Sequence, residues 1–404
     1  MRNRWMGGLA AAWIALVVPA VGGASVARIA GLNVPGDFVK TDDTGMFTYL
    51  SEVNSAGNLA WIEAGSARQS FGDHGMGAVI PGLFGERYGV WSFNLRQMHP
   101  ALGQGGPEDP VNTGGWDPDY ANTGEAFDVL WGHKLGAGNL GLRFNRTFVS
   151  QDDGTDTQEG DGNYGRNILG FGAGYDFEMD ENTQIQMAGL YQLRSYEYSA
   201  TDKSDGGNAL LIAARALRKC GGNVHVIPAV KYYSFDNSYL SGTTTVTEKQ
   251  SGWQAGAAGN WIVGTGDLLV FGAQVAGNKF EEPGDQEYSS TYMPNVFLAL
   301  ETHLTPWLAF RAGANNAMFY SYKHQFTGGE QKWKNHEFTF NIGTSVKLGS
   351  LMLDATLDPA FLQNPFAQLM GGSSAFYYVQ WDDRSTGGSW GTLAFPQVSA
   401  TYTW

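Results

Sequence analysis

Long stretches of this chain alternate between apolar side chains and polar or small ones. Across residues 169–179 the apolar set is Leu169, Phe171, Ala173, Tyr175, Phe177 and Met179, and the residues between them are Gly170, Gly172, Gly174, Asp176 and Glu178. A period of two places the two sets on opposite faces of a β-strand. The pattern therefore predicts strands with one apolar face and one polar face.

The same alternation recurs along most of the chain after residue 57. Candidate strands cover 58–65, 75–83, 87–98, 124–135, 140–149, 166–179, 183–198, 208–219, 224–236, 252–263, 268–279, 292–304, 307–320, 337–348, 351–358 and 393–404. Most are close to the ~10 residues that a tilted membrane-spanning strand requires. We expect about sixteen strands, with fourteen as the alternative because the first segments are short. A soluble two-layer sandwich also alternates, but strands this long and this numerous in one chain disfavour it.

The connections between these segments are of two kinds. Short turns rich in Gly, Asn, Asp and Pro lie at 84–86, 136–138, 180–182, 220–222, 264–266, 305–306 and 349–350. Longer polar loops cover 100–122, 150–165, 237–251 and 359–392. Short turns on one side and long loops on the other are typical of a transmembrane antiparallel β-barrel, whose short side is periplasmic and whose long loops are extracellular. We therefore predict an all-β barrel of this kind.

The last residues of the chain form an alternating segment that ends on an aromatic side chain. Its apolar residues are Val398, Ala400, Tyr402 and Trp404, and its polar residues are Gln397, Ser399, Thr401 and Thr403. This segment resembles the C-terminal signal strand of bacterial outer-membrane barrels, which that class uses for recognition by its assembly machinery. The resemblance implies an outer-membrane location, with membrane lipid and the barrel assembly machinery as partners. We expect this strand to close the barrel by antiparallel pairing with 58–65.

The N-terminal residues divide into two parts. Arg2 and Arg4, the apolar run 9–18 and the small residues Gly22-Gly23-Ala24 indicate a secretory signal peptide over 1–24. Residues 25–57 mix Gly, Pro and Asp with a short apolar patch, and they predict either a periplasmic lead-in or plug, or a flexible arm. The barrel then covers 58–404.

Composition excludes several classes of protein. The chain has 25 basic and 39 acidic residues, a net charge of −14, and so lacks the basic footprint that nucleic-acid binding requires. Cys220 is the single cysteine, so an intrachain disulfide cannot stabilise the fold. A closed barrel needs no such link, because all of its strand edges are paired.

Several charged residues fall on the inward phase of the predicted strands. These lumen candidates are Asp128, Lys134, Arg143, Asp176, Glu178, Arg194, Arg215, Lys231, Glu301, Arg311, Lys347 and Asp354. They either pair across a narrow or plugged interior or line a channel that selects a solute. His225 and His303 share the inward phase, where satisfied lumen histidines are favoured over a metal pair. No metal or cofactor is predicted.

Two loops have unusual composition. Residues 151–161 are dense in carboxylates, which favours a solvated acidic loop over a Ca²⁺ site, since no flanking helices are predicted. Residues 359–370 are the most apolar loop, and they predict a lid folded into the barrel mouth or, alternatively, a hydrophobic gate or docking surface. Enzyme signatures such as Gly-x-Ser-x-Gly, His-Glu-x-x-His and a phosphate loop are absent from the sequence. We therefore expect a protein that is not an enzyme.

The lead-in carries a second resemblance. Asp42-Asp43-Thr44-Gly45 and Tyr49-Leu50-Ser51, leading into 58–65, are similar to the lead-in of long-chain fatty acid transporter barrels and their secretion-associated relatives. The resemblance implies an outer-membrane channel or uptake protein for small solutes, hydrophobic ones included, which diffuse through a loop-gated barrel. The alternative is a non-conducting structural barrel that docks a partner or a secreted substrate. The sequence leaves the solute and the oligomeric state open.

Overall fold

The computed structural model describes residues 25–40, 42–65, 75–97, 125–151, 164–197, 204–241, 244–264, 266–282, 286–357 and 397–404. The predicted signal peptide, the loop 100–122, most of the acidic loop 151–161 and the apolar loop 359–370 lie outside these ranges. An N-terminal helix, α1, covers Val26–Leu32, and 3₁₀ turns follow at Gly36–Phe38, Asp43–Phe47 and Leu50–Asn54. One further 3₁₀ turn covers Glu86–Tyr88.

Within the described ranges, sixteen β-strands follow this N-terminal part. Strands β1 to β8 cover Leu59–Gly65, Gly75–Pro81, Val90–Gln97, Glu125–Leu135, Gly138–Gln151, Tyr164–Asp180, Thr183–Glu197 and Ser204–Lys219. Strands β9 to β16 cover Val224–Ser241, Thr244–Val263, Asp267–Glu282, Gln286–Thr305, Leu308–Phe326, Gly329–Leu348, Leu351–Leu357 and Gln397–Thr403. The predicted count of sixteen is confirmed.

The strands form one closed antiparallel barrel. Each strand pairs with its neighbours in sequence, and β1 pairs with β16 from Leu59 opposite Thr403 to Gly65 opposite Gln397. The predicted closure between the last strand and the first is therefore confirmed. Among the described residues, no helix is long and apolar enough to cross a membrane.

The outer face of the barrel is apolar, as the alternation predicts. Exposed side chains on this face include Phe144, Phe171, Ile212, Phe271 and Leu298. Val398 and Tyr402 of β16 and the adjacent Trp404 are 40%, 49% and 55% exposed, while Ser399 and Thr401 are buried. An apolar exterior of this kind suits contact with lipid.

The barrel wall is uneven in height, and one loop prediction is wrong for this reason. Residues 237–251 were expected to form a loop, but β9 continues to Ser241 and β10 starts at Thr244. The extension carries polar residues on both faces and so lacks the alternation that marks a lipid-facing strand. The β13–β14 hairpin likewise extends to Phe326 and Gly329. Strands β9 to β14 have 16 to 20 residues, which is more than the ~10 that span a bilayer.

Candidate functional site

The N-terminal segment, residues 25–57, packs against the inward face of the barrel wall. The helix α1 begins at Ser25, whose hydroxyl accepts a hydrogen bond from the Arg28 amide at 3.0 Å, and it ends at Asn33, whose backbone is left-handed. One apolar cluster joins the segment to β1, β2 and β4: Met46, Phe47, Leu50, Val53, Ala56, Leu59, Trp61, Val79 and Leu130. A second joins it to β9 through β12: Leu32, Val34, Phe38, Val39, Ala229, Ala258, Leu268, Val270, Phe297 and Ala299.

A buried chain of ion pairs links α1 to three strands. The Arg28 guanidinium donates to both carboxylate oxygens of Glu301 in β12, at 2.9 and 3.0 Å. Glu301 also pairs with Arg311 of β13, and Arg311 donates to Asp354 of β15 at 2.7 Å. All four side chains are at most 8% exposed. Because each buried charge has a partner of opposite sign, their burial is compensated.

Arg215 of β8 binds the segment at several points. It pairs with the Glu52 carboxylate, donates to the Asp37 carbonyl at 3.0 Å, and lies over the Tyr49 ring at 4.1 Å from its centroid. The Asp37 side chain pairs with Lys231 of β9 at 2.7 Å. A planar guanidinium with five donors is well suited to hold several acceptors at once.

Further polar contacts fix the segment on other sides of the lumen. Arg143 of β5 pairs with Asp128 of β4 at 2.8 Å and donates to the Phe47 carbonyl at 2.9 Å. The Lys40 ammonium lies 2.7 Å from His225 Nε2 in β9. These contacts lie in the half of the barrel nearest the short turns.

Glycines allow the segment's backbone to approach the wall closely. A side chain at Gly313 of β13 would overlap the Leu32 carbonyl oxygen, and one at Gly141 of β5 would overlap the Leu50 carbonyl. A Cβ at Gly31 in α1 would come within 3.1 Å of Gly343 Cα in β14. The wall therefore has small residues at the positions where the segment's main chain lies against it.

Two carboxyls of the segment hold protons more strongly than usual. Burial raises the pKa of Asp43 to about 8, and the nearby charges of Asp42 and Glu52 add to the rise while Arg28 opposes it. Burial also raises the pKa of Asp42 to about 6, again against the effect of Arg28. Docking of the segment is thereby linked to pH.

The predicted lumen residues occupy different environments. Seven of them take part in the buried ion pairs described above: Asp128, Arg143, Arg215, Lys231, Glu301, Arg311 and Asp354. Asp176 is buried and accepts from Asn139 at 2.9 Å. Lys134 and Glu178 are exposed close to the short turns, and Lys347 is half-buried. The Arg194 side chain lies outside the described part of the structure.

The two inward histidines have different partners. His225 contacts Lys40, whereas His303 Nδ1 lies 3.3 Å from Asp267. In the described ranges, no group of three or more His, Cys, Asp or Glu side chains is placed to hold a metal ion.

The sequence did not identify which residues of the N-terminal segment make these contacts. Each of the following contacts a residue of the wall: Arg28, Asp37, Lys40 and Glu52. A signal was present in the sequence, since both signs of charge occur within this segment. Matching each charge to a strand requires the three-dimensional path of the segment.

Among known proteins, this chain is similar to solved structures but to no family model or curated sequence. Similar solved structures include "Copper transporter OprC", at 13% identity and TM-score 0.41, covering 67% of this chain and 50% of that one. The ferric preacinetobactin receptor BauA from Acinetobacter baumannii is 12% identical with TM-score 0.43, covering 75% and 55%.

A FadL homologue from Pseudomonas aeruginosa is also similar, at 10% identity and TM-score 0.41, covering 94% of this chain and 99% of that one. The chain spans about half the length of the copper transporter and of the ferric preacinetobactin receptor. Identities and TM-scores this low do not define a family for the chain. Its class follows from its own strand pairing, which is that of a closed sixteen-stranded antiparallel β-barrel.

Proposed function

We propose that this chain is an outer-membrane uptake barrel whose N-terminal segment acts as a plug. The observation that carries the proposal is the ring of buried contacts between this segment and the wall, from Arg28–Glu301 on one side to the Phe47 carbonyl and Arg143 on the other. A solute would enter at the mouth formed by the long strands and cross after the plug is displaced. Nothing in the proposal requires catalysis.

The chemistry of the contacts supports a removable plug. Ion pairs and hydrogen bonds between buried polar groups can be exchanged for water when the segment leaves, whereas an unbroken apolar interface has no such replacement. The wall also keeps its own pairs without the segment, since Arg311–Asp354 and Arg143–Asp128 lie wholly within strands. These wall pairs would persist in both states, whereas Arg215 and Lys231 would exchange the carboxylates of Glu52 and Asp37 for water.

Conductance in planar bilayers tests the proposal. The intact barrel is expected to pass little current, and moderate urea should release the plug and give large open steps that disappear when urea is removed. A closed barrel has no free strand edges and so resists the same treatment. A barrel that stays folded and never conducts would contradict the uptake function and favour the non-conducting docking barrel.

A further inference from the structure

The upper part of the inner wall, away from the plug, carries aromatic side chains. Strand pairing aligns them in three rows across β11 to β14. The rows, named here the ring rows, are Ala276, Tyr292, Tyr320 and Asn335; Asn278, Ser290, Tyr322 and Trp333; and Phe280, Tyr288, His324 and Gln331. Directly opposite residues share one face of a sheet.

That face is the inward one. Trp333 is an even number of residues from Gly343, which lies against Gly31 of the plug. Asn278 contacts the Tyr233 hydroxyl, and Tyr233 is two residues from Lys231, which pairs with Asp37. Period-two alternation therefore directs the ring rows into the lumen.

The rings are in contact with one another and remain partly accessible. Their centroids are 4.8 Å apart for Tyr292–Tyr320, 4.2 Å for Tyr288–His324 and 5.1 Å for Tyr322–Trp333. The tyrosines and His324 are half-buried, and Trp333 is 48% exposed. Beside the last row, an open depression of about 470 Å³ is lined by Gln286, His324, Phe326, Thr327 and Gln331.

The outer face of the same extension is charged. Lys279 pairs with Glu281 at 2.6 Å and with Glu287 at 3.0 Å, and Lys323 pairs with Glu330 at 2.8 Å. Charges outside and rings inside reverse the arrangement of a lipid-spanning wall. The extension therefore stands in water, and its rings form a lumenal surface beyond the plug contacts.

Accessible polar side chains lie beside the rings. Gln286 and Gln331 line the depression, and the Tyr288 hydroxyl donates to Gln286 Oε1 at 3.2 Å. A side-chain amide both donates and accepts hydrogen bonds, so these groups favour a ligand that carries hydroxyl groups.

We propose that the ring rows bind a neutral oligosaccharide. Sugar hydroxyls can hydrogen-bond to the amides of Gln286 and Gln331, and the C–H faces of sugar rings stack on aromatic side chains. An aliphatic chain would form no hydrogen bond with these amides, and an anion would find no Lys or Arg in the rows. The inference rests on the proposed uptake function, for which it names the solute class.

Calorimetric titration of the barrel in lipid nanodiscs tests this assignment. The probes are maltohexaose, cellohexaose and xylohexaose, with laurate as the aliphatic comparison. At least one saccharide should bind, and Tyr322→Ala or Tyr288→Ala should weaken that binding by about tenfold or more. Lys323→Ala, on the outer face of the same strand, is the matched control and should bind as the wild type does.

Three results of the titration would overturn the assignment. They are no binding of any of the three saccharides, binding of laurate alone, and tyrosine variants that bind like the wild type. Circular dichroism must show that each variant is folded. Binding is measured without conductance. If no saccharide binds but conductance still depends on the plug, this inference alone is refuted. If a saccharide binds but the folded barrel never conducts, the uptake function is refuted.

Discussion

Arg28 of the N-terminal segment donates hydrogen bonds to both carboxylate oxygens of Glu301 in β12, at 2.9 and 3.0 Å. Glu301 is held from the other side by Arg311, which in turn binds Asp354. A single carboxylate thus joins the segment to a charge chain that already belongs to the wall. Loss of Arg28 would therefore remove a docking contact while the wall keeps Glu301–Arg311 and Arg311–Asp354.

Arg28→Met is therefore expected to loosen the plug. Losing one partner of a buried pair typically costs ~3–5 kcal/mol, and the remaining Arg311 contact reduces this loss for Glu301. Bilayer recordings should show frequent open steps at a urea concentration that leaves the wild type closed. Lys279→Met removes an exposed pair, which is worth only ~0–1 kcal/mol, and should behave as the wild type. Equal open probability in the two variants would contradict the role of the buried pair.

Gly313→Ala should displace the segment by steric overlap. The added methyl group would collide with the Leu32 carbonyl oxygen, a backbone atom that a side-chain rotation cannot move away. Gly189→Ala is the matched control in β7, because the nearest atom to its new Cβ is Leu211 O at 4.0 Å. We expect raised conductance for Gly313→Ala and no change for Gly189→Ala. A closed Gly313→Ala barrel would mean that α1 does not lie where the contacts place it.

Docking of the segment should weaken as the pH rises. The pKa of Asp43 is about 8 when the segment is docked, against an ordinary value of 3.8. The docked state therefore binds more protons between these values, so the stability it gains at low pH is lost as the pH passes from about 4 to about 8. Asp43→Asn should flatten this dependence. Open probability recorded across the same window provides the measurement, and a wild type that opens more at low pH would contradict the sign.

Tyr402 of β16 and the adjacent Trp404 should govern assembly. Tyr402→Ala and Trp404→Ala remove side chains that are 49% and 55% exposed on the outer face. The two rings stack with their centroids 6.1 Å apart. We expect severalfold less heat-modifiable, folded barrel in the membrane fraction. Thr403→Ala, on the opposite face of the strand, is the control. Wild-type amounts of folded barrel from both aromatic variants would refute an assembly signal in this strand.

The barrel was predictable because its signal is local and repeated. A period of two over residues such as Leu169 to Met179 fixes both the element type and the face, and glycines mark the tight turns. Strand ends beyond the lipid, as at Thr244 and Phe326, were missed because both faces of those extensions meet water or the lumen. The alternation that identifies a spanning strand then no longer applies.

The site was only half predictable, for a related reason. Inward charges such as Glu301 and Arg215 follow from strand phase, but their partners Arg28 and Glu52 lie in a segment without regular periodicity. Their pairing spans hundreds of residues and depends on how the segment crosses the lumen. The ring rows were hidden because bulges near Met293 and Met318 shift the phase of β12 and β13.

A reversible lock on the plug tests the central claim most directly. Ser25 Oγ lies 2.5 Å from Ser399 Oγ in β16, so Ser25→Cys with Ser399→Cys, in a Cys220→Ser background, brings two thiols together at the start of α1. The oxidised barrel should stay closed in bilayers under moderate urea, and reductant should restore open steps. Large conductance in the oxidised state, equal to that of the reduced state, would contradict a plug formed by the N-terminal segment.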